Sequence, residues 1–308
     1  MKKLACLLLL GCLVVAVAAC GGDSDDDADD DAASGKLRVV ATTTQIGDFA
    51  GQLGGDRIEL TILLKPNQDA HDYTLEPSQV RSISRADLVL RNGLGLDEFL
   101  DKALKNTKAK VVDLSEKVKQ LPSAEEDSEI DPHIWFDPTN AQTMVKDIRD
   151  ALVEADAPNA SFYAANFSAY FDKLIQLDRD ISQMIATVPT SCRKLVTNHD
   201  ALNYYTERYG FRLDASVIPS TSTSARASAS DVARVVDLVR STNVPAVFAE
   251  ASINDDLMEQ VAREAKVKLV TDLYTDSLGP GDSDGATYVE MMLSDTRKIV
   301  EGLSACKG

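Results

Sequence analysis

Residues 161–187 read SFYAANFSAYFDKLIQLDRDISQMIAT. Phe167, Tyr170, Phe171, Leu174, Leu177, Ile181, Met184 and Ile185 recur there at steps of three and four. That spacing paints one apolar face on a helix. Ala157-Pro158-Asn159 separates it from the helical pattern that starts near Asn140, and Pro189 ends it. Such a helix is about 40 Å long, enough to join two domains and pack along both. An aromatic stripe of this kind is read as core packing, not as a cofactor box.

On both sides of this helix the chain alternates between short strands and helices. Before it, Leu37–Thr44, Ile58–Leu64, Leu88–Leu90 and Val111–Leu114 read as strands, and Pro77 opens a short helix. After it come Leu195–Thr197, Asp214–Ile218, Ala246–Ala249 and Val267–Val270, then a glycine-rich loop and a last helix, Tyr288–Leu303. Strand, loop, helix, strand is the pattern of a parallel α/β sheet. The fold class expected is therefore α/β, with two (β/α) lobes joined by one long rigid helix. A ligand in such a fold belongs at the carboxyl ends of the strands, in the cleft between lobes. Residues 92–97 contain Gly93-x-Gly95, half of a dinucleotide fingerprint, but Glu98 takes the third glycine position, so the segment reads as a turn.

The first residues form a separate piece. Lys2 and Lys3 precede the apolar run Leu4–Val17, and Val17-Ala18-Ala19 precede Cys20. This is a secretory signal ending in a cysteine that resembles a bacterial lipobox. Residues 1–19 are expected to be removed and Cys20 to carry lipid. Cys12, after Leu-Gly, is a rival site with too short an apolar run before it. Residues 20–35 hold seven Asp between Asp23 and Asp31 and read as a solvated tether of about 50 Å at full stretch. The processed chain has 30 basic and 49 acidic side chains, a net charge of −19. Nucleic acid is thus not an expected partner. Cys192 and Cys306 remain, both in the C-terminal half of an exported chain, and a bridge between them is expected.

The chain has three histidines, and each stands in a punctuated, Asp-flanked setting. They are Asp69-Ala70-His71-Asp72-Tyr73, Asp131-Pro132-His133-Ile134-Trp135-Phe136-Asp137-Pro138 and Thr197-Asn198-His199-Asp200. Each follows an apolar, strand-like run and so falls on the cleft side. Neutral imidazole is the commonest metal ligand. Three imidazoles and one carboxylate fill a tetrahedral shell that suits Zn²⁺ and leaves Mn²⁺ open. Asp276 is the preferred fourth ligand and Asp272, nearer a strand end, its rival. Glu250, at the end of a strand, is a candidate acceptor for the far ring nitrogen of a histidine.

These motifs, together with Tyr209-Gly210-Phe211, Val247-Phe248-Ala249-Glu250 and Thr275-Asp276-Ser277-Leu278-Gly279, resemble the solute-binding lipoproteins of bacterial ABC importers for zinc and manganese, the cluster A-I type. The resemblance spans nearly the whole processed chain. It implies a cation held by His71, His133, His199 and Asp276, and it favours Asp276 over Asp272. It implies an N-terminal lobe over 36–158, a linking helix over 159–188 and a C-terminal lobe over 189–308. Ala70 stands where the family has proline, and the histidine-rich loop of many zinc-specific members is absent. Manganese-specific relatives carry Glu where this chain has His199, which favours zinc.

The expected function is capture of a divalent metal, Zn²⁺ first and Mn²⁺ as the alternative. The ion would pass to a permease driven by a cytosolic ATPase. The protein would be a monomer on the outer face of the membrane, with no catalysis. Because imidazoles bind metal when neutral, affinity should fall as pH drops through about 6. Two other classes compete. A secreted zinc hydrolase needs an open coordination position and a general base, for which Glu250 would serve, yet there is no His-Glu-x-x-His helix. A metal-dependent adhesin is compatible with a lipid anchor and has no motif of its own here.

Overall fold

Three consecutive threonines, Thr42 to Thr44, mark where the first strand turns into the first helix. Strand β1 (Leu37–Ala41) ends there, and the Thr43 hydroxyl accepts from the Ile46 N–H to cap α1 (Thr44–Gly54). The computed structural model describes residues 35–123, 130–218, 220–223 and 227–306. The expected signal, Cys20 and all of the expected tether but Gly35 lie outside the described residues.

After α1 come β2 (Ile58–Ile62), α2 (Pro77–Arg85), β3 (Leu88–Arg91), α3 (Asp101–Leu104) and β4 (Lys110–Asp113). The four strands form one parallel sheet in the order β2-β1-β3-β4. Parallel strands buried on both faces read as continuous apolar runs; β1 and β3 do, with Val39, Val40, Leu88, Val89 and Leu90 all buried. The Gly-x-Gly segment is a turn: Gly93, Leu94 and Gly95 have positive φ, and the Asp97 carboxylate accepts from the Asn92 and Gly93 N–H groups.

Helix α4 (Pro138–Ala155) starts on Pro138, with Asp137 accepting from the Thr139 N–H as its cap. Helix α5 (Ala160–Ile185) is the linking helix, 26 residues long. It buries Tyr163, Tyr170, Leu174, Leu177, Ile181 and Ile185, while Phe167, Phe171 and Met184 are half-buried against the same core. Its neighbours are α1 and α4 from one lobe and α9 from the other.

The second lobe runs β5 (Lys194–Thr197), α6 (Asn203–Tyr209), β6 (Arg212–Ser216), α7 (Ala229–Thr242), β7 (Ala246–Glu250), α8 (Asp256–Ala265), β8 (Lys268–Leu273) and α9 (Tyr288–Leu303). Its strands pair as β5-β6 and β7-β8, both parallel. Between the two pairs a side chain takes over from the ladder: Asn198 Oδ1 accepts from the Glu250 N–H at 2.9 Å. Cys192 is joined to Cys306, just past α9. One apolar cluster runs from β1 through α5 to α9, and a smaller one lies between α7, α8 and the β5–β8 strands. Among the described residues, no helix is long and apolar enough to cross a membrane.

Candidate metal centre

Each histidine is aimed by a local device that the sequence supplies. In Asp131-Pro132-His133, the Asp131 carboxylate accepts from the His133 backbone N–H at 2.9 Å and also contacts its ring Nδ1 at 2.7 Å. The ring is thereby turned so that Nε2 points away from Asp131. This segment does not follow a strand, as its sequence suggests. It follows an isolated bridge between Pro122 and Ile130 and leads through one turn of 3₁₀ helix into α4. The bracketing prolines and Asp131 do the aiming that a strand end does elsewhere.

His199 follows β5 directly. Its Nδ1 lies 2.7–2.9 Å from the two Glu250 carboxylate oxygens, and its backbone N–H donates to the same group at 3.0 Å. Glu250 Oε2 also accepts from the Thr275 hydroxyl at 2.6 Å. Glu250 therefore sits behind His199, not at the centre. His71 lies in the loop after β2, where Asp69 Oδ1 accepts its N–H at 2.8 Å.

The four candidate ligands converge. His71 Nε2 and His133 Nε2 are 3.2 Å apart, and His199 Nε2 and His133 Nε2 are 3.4 Å apart. Asp276 Oδ1 is 3.4 Å from His133 Nε2, 3.7 Å from His199 Nε2 and 3.9 Å from His71 Nε2. A tetrahedral ion with bonds of about 2.0–2.2 Å has edges of about 3.3–3.6 Å, and these separations of 3.2–3.9 Å lie close to that spacing. Asp276 is wholly buried, and neither of its carboxylate oxygens has a hydrogen-bond partner. A buried carboxylate without hydrogen bonds is costly unless a cation faces it. Among the described residues no other group of three or more such side chains converges in this way. Asp272 is not part of it: it is an exposed residue in β8 with φ +64°, hydrogen-bonded to the Thr271 hydroxyl.

The electrostatics follow from burial and neighbouring charge. Burial pulls His71 down to about 3, against the pull of Asp276. Burial also opposes a charge on His133, but Asp131 and Asp276 outweigh it and push the ring up to about 10. His199 is raised in the same way, burial being overcome by Glu250 and Asp276. Asp276 is held well below the usual carboxylate range: burial would raise it, and the surrounding histidines more than reverse that. Neighbouring carboxylates thus favour positive charge on the His133 and His199 rings, the sign of charge that a divalent ion would supply there.

Sequence reasoning did not find the residues that hold the Asp276 loop. The Thr275 carbonyl accepts from Gln45 Nε2 at 3.1 Å and from the indole of Trp135 at 3.2 Å. The Leu278 N–H donates to the Thr44 hydroxyl at 2.7 Å, and the Tyr274 N–H donates to Asp295 at 3.1 Å. Trp135 stands in a motif that was read; Gln45, Thr44 and Asp295 carry no sequence signal for this role.

Residues 39–302 match the family model described as zinc-uptake complex component A, periplasmic. A manganese-binding lipoprotein, MntA, of Halalkalibacterium halodurans is 34% identical over 269 residues, covering 87% of this chain and 89% of the relative. The manganese ABC transporter substrate-binding lipoprotein PsaA of Streptococcus anginosus is 31% identical and covers 87% and 90%. Among solved structures, the periplasmic zinc-binding protein TroA of Treponema pallidum superposes with a TM-score of 0.82 at 29% identity, over 87% of this chain and 99% of that one. The Mn-bound periplasmic metal-binding protein of Candidatus Liberibacter asiaticus gives 0.79 at 30% identity, over 87% and 100%.

Proposed function

This chain belongs to the family described as zinc-uptake complex component A, periplasmic, and we propose that it is the extracytoplasmic capture protein of an ABC importer for a divalent transition metal. His71, His133, His199 and Asp276 hold the cargo between the lobes, and a permease with its ATPase receives it. Asp276 carries this reading: it is buried, lacks hydrogen bonds and lies 3.4–3.9 Å from three imidazole Nε2 atoms. Four protein donors would fill a tetrahedral shell, whereas hydrolytic zinc sites keep an open position, and this supports binding and delivery over catalysis.

Relatives named for manganese support Mn²⁺ as the cargo, in place of the zinc that the sequence favours. The zinc reading is supported by the third imidazole, supplied by His199 with its Nδ1 against Glu250, by the family model named for zinc uptake and by the zinc-binding TroA neighbour. Any site of this donor set binds Zn²⁺ more tightly than Mn²⁺, so affinity alone does not name the cargo. Cys20 as the lipid anchor, an outer-face location, a monomeric state and the lobe limits 36–158, 159–188 and 189–308 belong to the same proposal.

Competitive titration of the metal-stripped protein with both ions, read by elemental analysis, tests the site. One ion per chain is expected, and no bound ion of either kind overturns the reading. Uptake of each metal by cells with and without the protein decides the cargo. Loss of manganese uptake alone supports Mn²⁺; loss of zinc uptake alone returns the assignment to Zn²⁺.

A further inference from the structure

Two groups of hydrogen bonds tie the lobes together beside the metal centre. Gln45, Trp135 and Thr44 of the first lobe hold Thr275 and Leu278 of the second. On another side the Leu121 N–H donates to the Tyr204 hydroxyl, which donates to the Asp131 carbonyl, and Asn203 Nδ2 donates to the Pro122 carbonyl. Several of these groups are buried, and pulling the lobes apart would strand them without partners.

The side of His71 is different. A cavity of about 440 Å³ lies over it, lined from both lobes by residues that include His71, Leu94, Glu98, Ile130, Thr221 and Ser222. His71 is the one proposed ligand that lines this cavity, and its side chain is 7% exposed where the other three are at 0%. The chain also uses one motif in two ways. In both Asp-x-His turns the aspartate accepts the N–H of the histidine. At Asp131 the carboxylate then holds the ring of its own histidine. At Asp69 the second oxygen instead reaches the other lobe and accepts from the Thr223 hydroxyl at 2.5 Å.

We infer that the Asp69–Thr223 hydrogen bond is a latch on the cargo door: the ion enters and leaves past His71, and this contact, not separation of the lobes, sets the exchange rate. The inference rests on the capture reading above. Release then requires only that the loop after β2 swing away with His71, while His133, His199 and Asp276 stay in place. Thr223 hydrogen-bonds to Asp69, whose other oxygen accepts the His71 N–H, so it is a positioning residue that acts through Asp69.

Mn²⁺-loaded protein, mixed rapidly with excess chelator, reports the rate of metal loss. Thr223→Val should lose metal about tenfold faster, the scale set by one hydrogen bond to a carboxylate, and Thr223→Ser should restore the original rate. A second variant tests the route. Lys119 and Glu207 form an exposed ion pair across the lobes at 3.0 Å; Lys119→Cys with Glu207→Cys, joined by a short bifunctional thiol linker, fixes the lobes there. Exchange should continue in the linked protein. An unchanged rate in Thr223→Val, or exchange abolished by the link, overturns the latch and leaves the capture reading standing. Unmodified protein that retains no metal overturns both.

Discussion

At the scale of the residue, the centre is three imidazoles and a carboxylate whose charges are set by what stands behind them. His133→Ala or Asp276→Ala should weaken metal binding by orders of magnitude while the far-ultraviolet circular dichroism stays that of the parent; an unchanged isotherm would contradict the assignment. Glu250→Gln keeps the shape but removes the charge behind His199, and a loss of about 10- to 100-fold in affinity is expected. The pH dependence differs from the fall near pH 6 that histidine alone suggests. Against burial, His133 is pushed up to about 10 by Asp131 and Asp276, so its ring carries a proton at neutral pH before metal binds, and His199 is raised in the same direction by Glu250 and Asp276. Binding requires neutral rings and must expel that proton, so affinity rises with pH well above 7. Calorimetry at pH 7.5 in buffers of different ionisation enthalpy should register release of at least about one proton per ion. Release of none would show that the rings are already neutral.

At the scale of the element, α5 and α9 do the positioning. Asp48 of α1 accepts from the Tyr170 hydroxyl of α5 and from the Tyr288 N–H at the start of α9, so one carboxylate joins three helices from both lobes. The Cys192–Cys306 bridge then ties the end of α9 to the start of the second lobe, across 114 residues of sequence. Replacing both cysteines by alanine should cost roughly 2–4 kcal/mol of stability, measured by urea unfolding. The turn after β3 is equally specified. Gly93 has φ +83°, and a Cβ there would meet the Asp113 carboxylate at 2.2 Å. Gly93→Ala should cost about 1–3 kcal/mol and disturb Asn92, whose side-chain amide donates to the Pro132 carbonyl beside His133.

At the scale of the whole molecule, the lobes share a core. The larger apolar cluster includes Val39 and Leu88 of the first lobe, Leu174 of α5, and Phe248 and Met291 of the second. Core that continuous resists wide opening, because opening would expose it at about 25 cal/mol per Å². Small-angle scattering of metal-free and metal-loaded protein should therefore give the same radius of gyration. A clear expansion on removing the metal would mean that the seam through Thr275 breaks on release.

Much of this was legible in the chain. The parallel strands announced themselves as β-branched runs, the linking helix by its three- and four-residue steps, and the last helix, Tyr288–Leu303, at its observed limits. The candidate ligands were legible because histidine is scarce here and each one stands in a stiff, Asp-flanked turn whose geometry is local. Helices α6, α7 and α8 were less so, since their apolar faces are short and gain meaning only against the strands they cover. What the sequence by itself determined was therefore the α/β rhythm, the long helix and the set of side chains able to bind a metal, all properties of neighbours along the chain. Only the tertiary structure decided that Asp276 and not Asp272 faces the histidines, that Gln45 and Trp135 grip the loop before Asp276, and that Asp69 reaches Thr223. Those contacts join residues 77 to 230 positions apart, and such pairings depend on how packed elements meet, which no local pattern encodes.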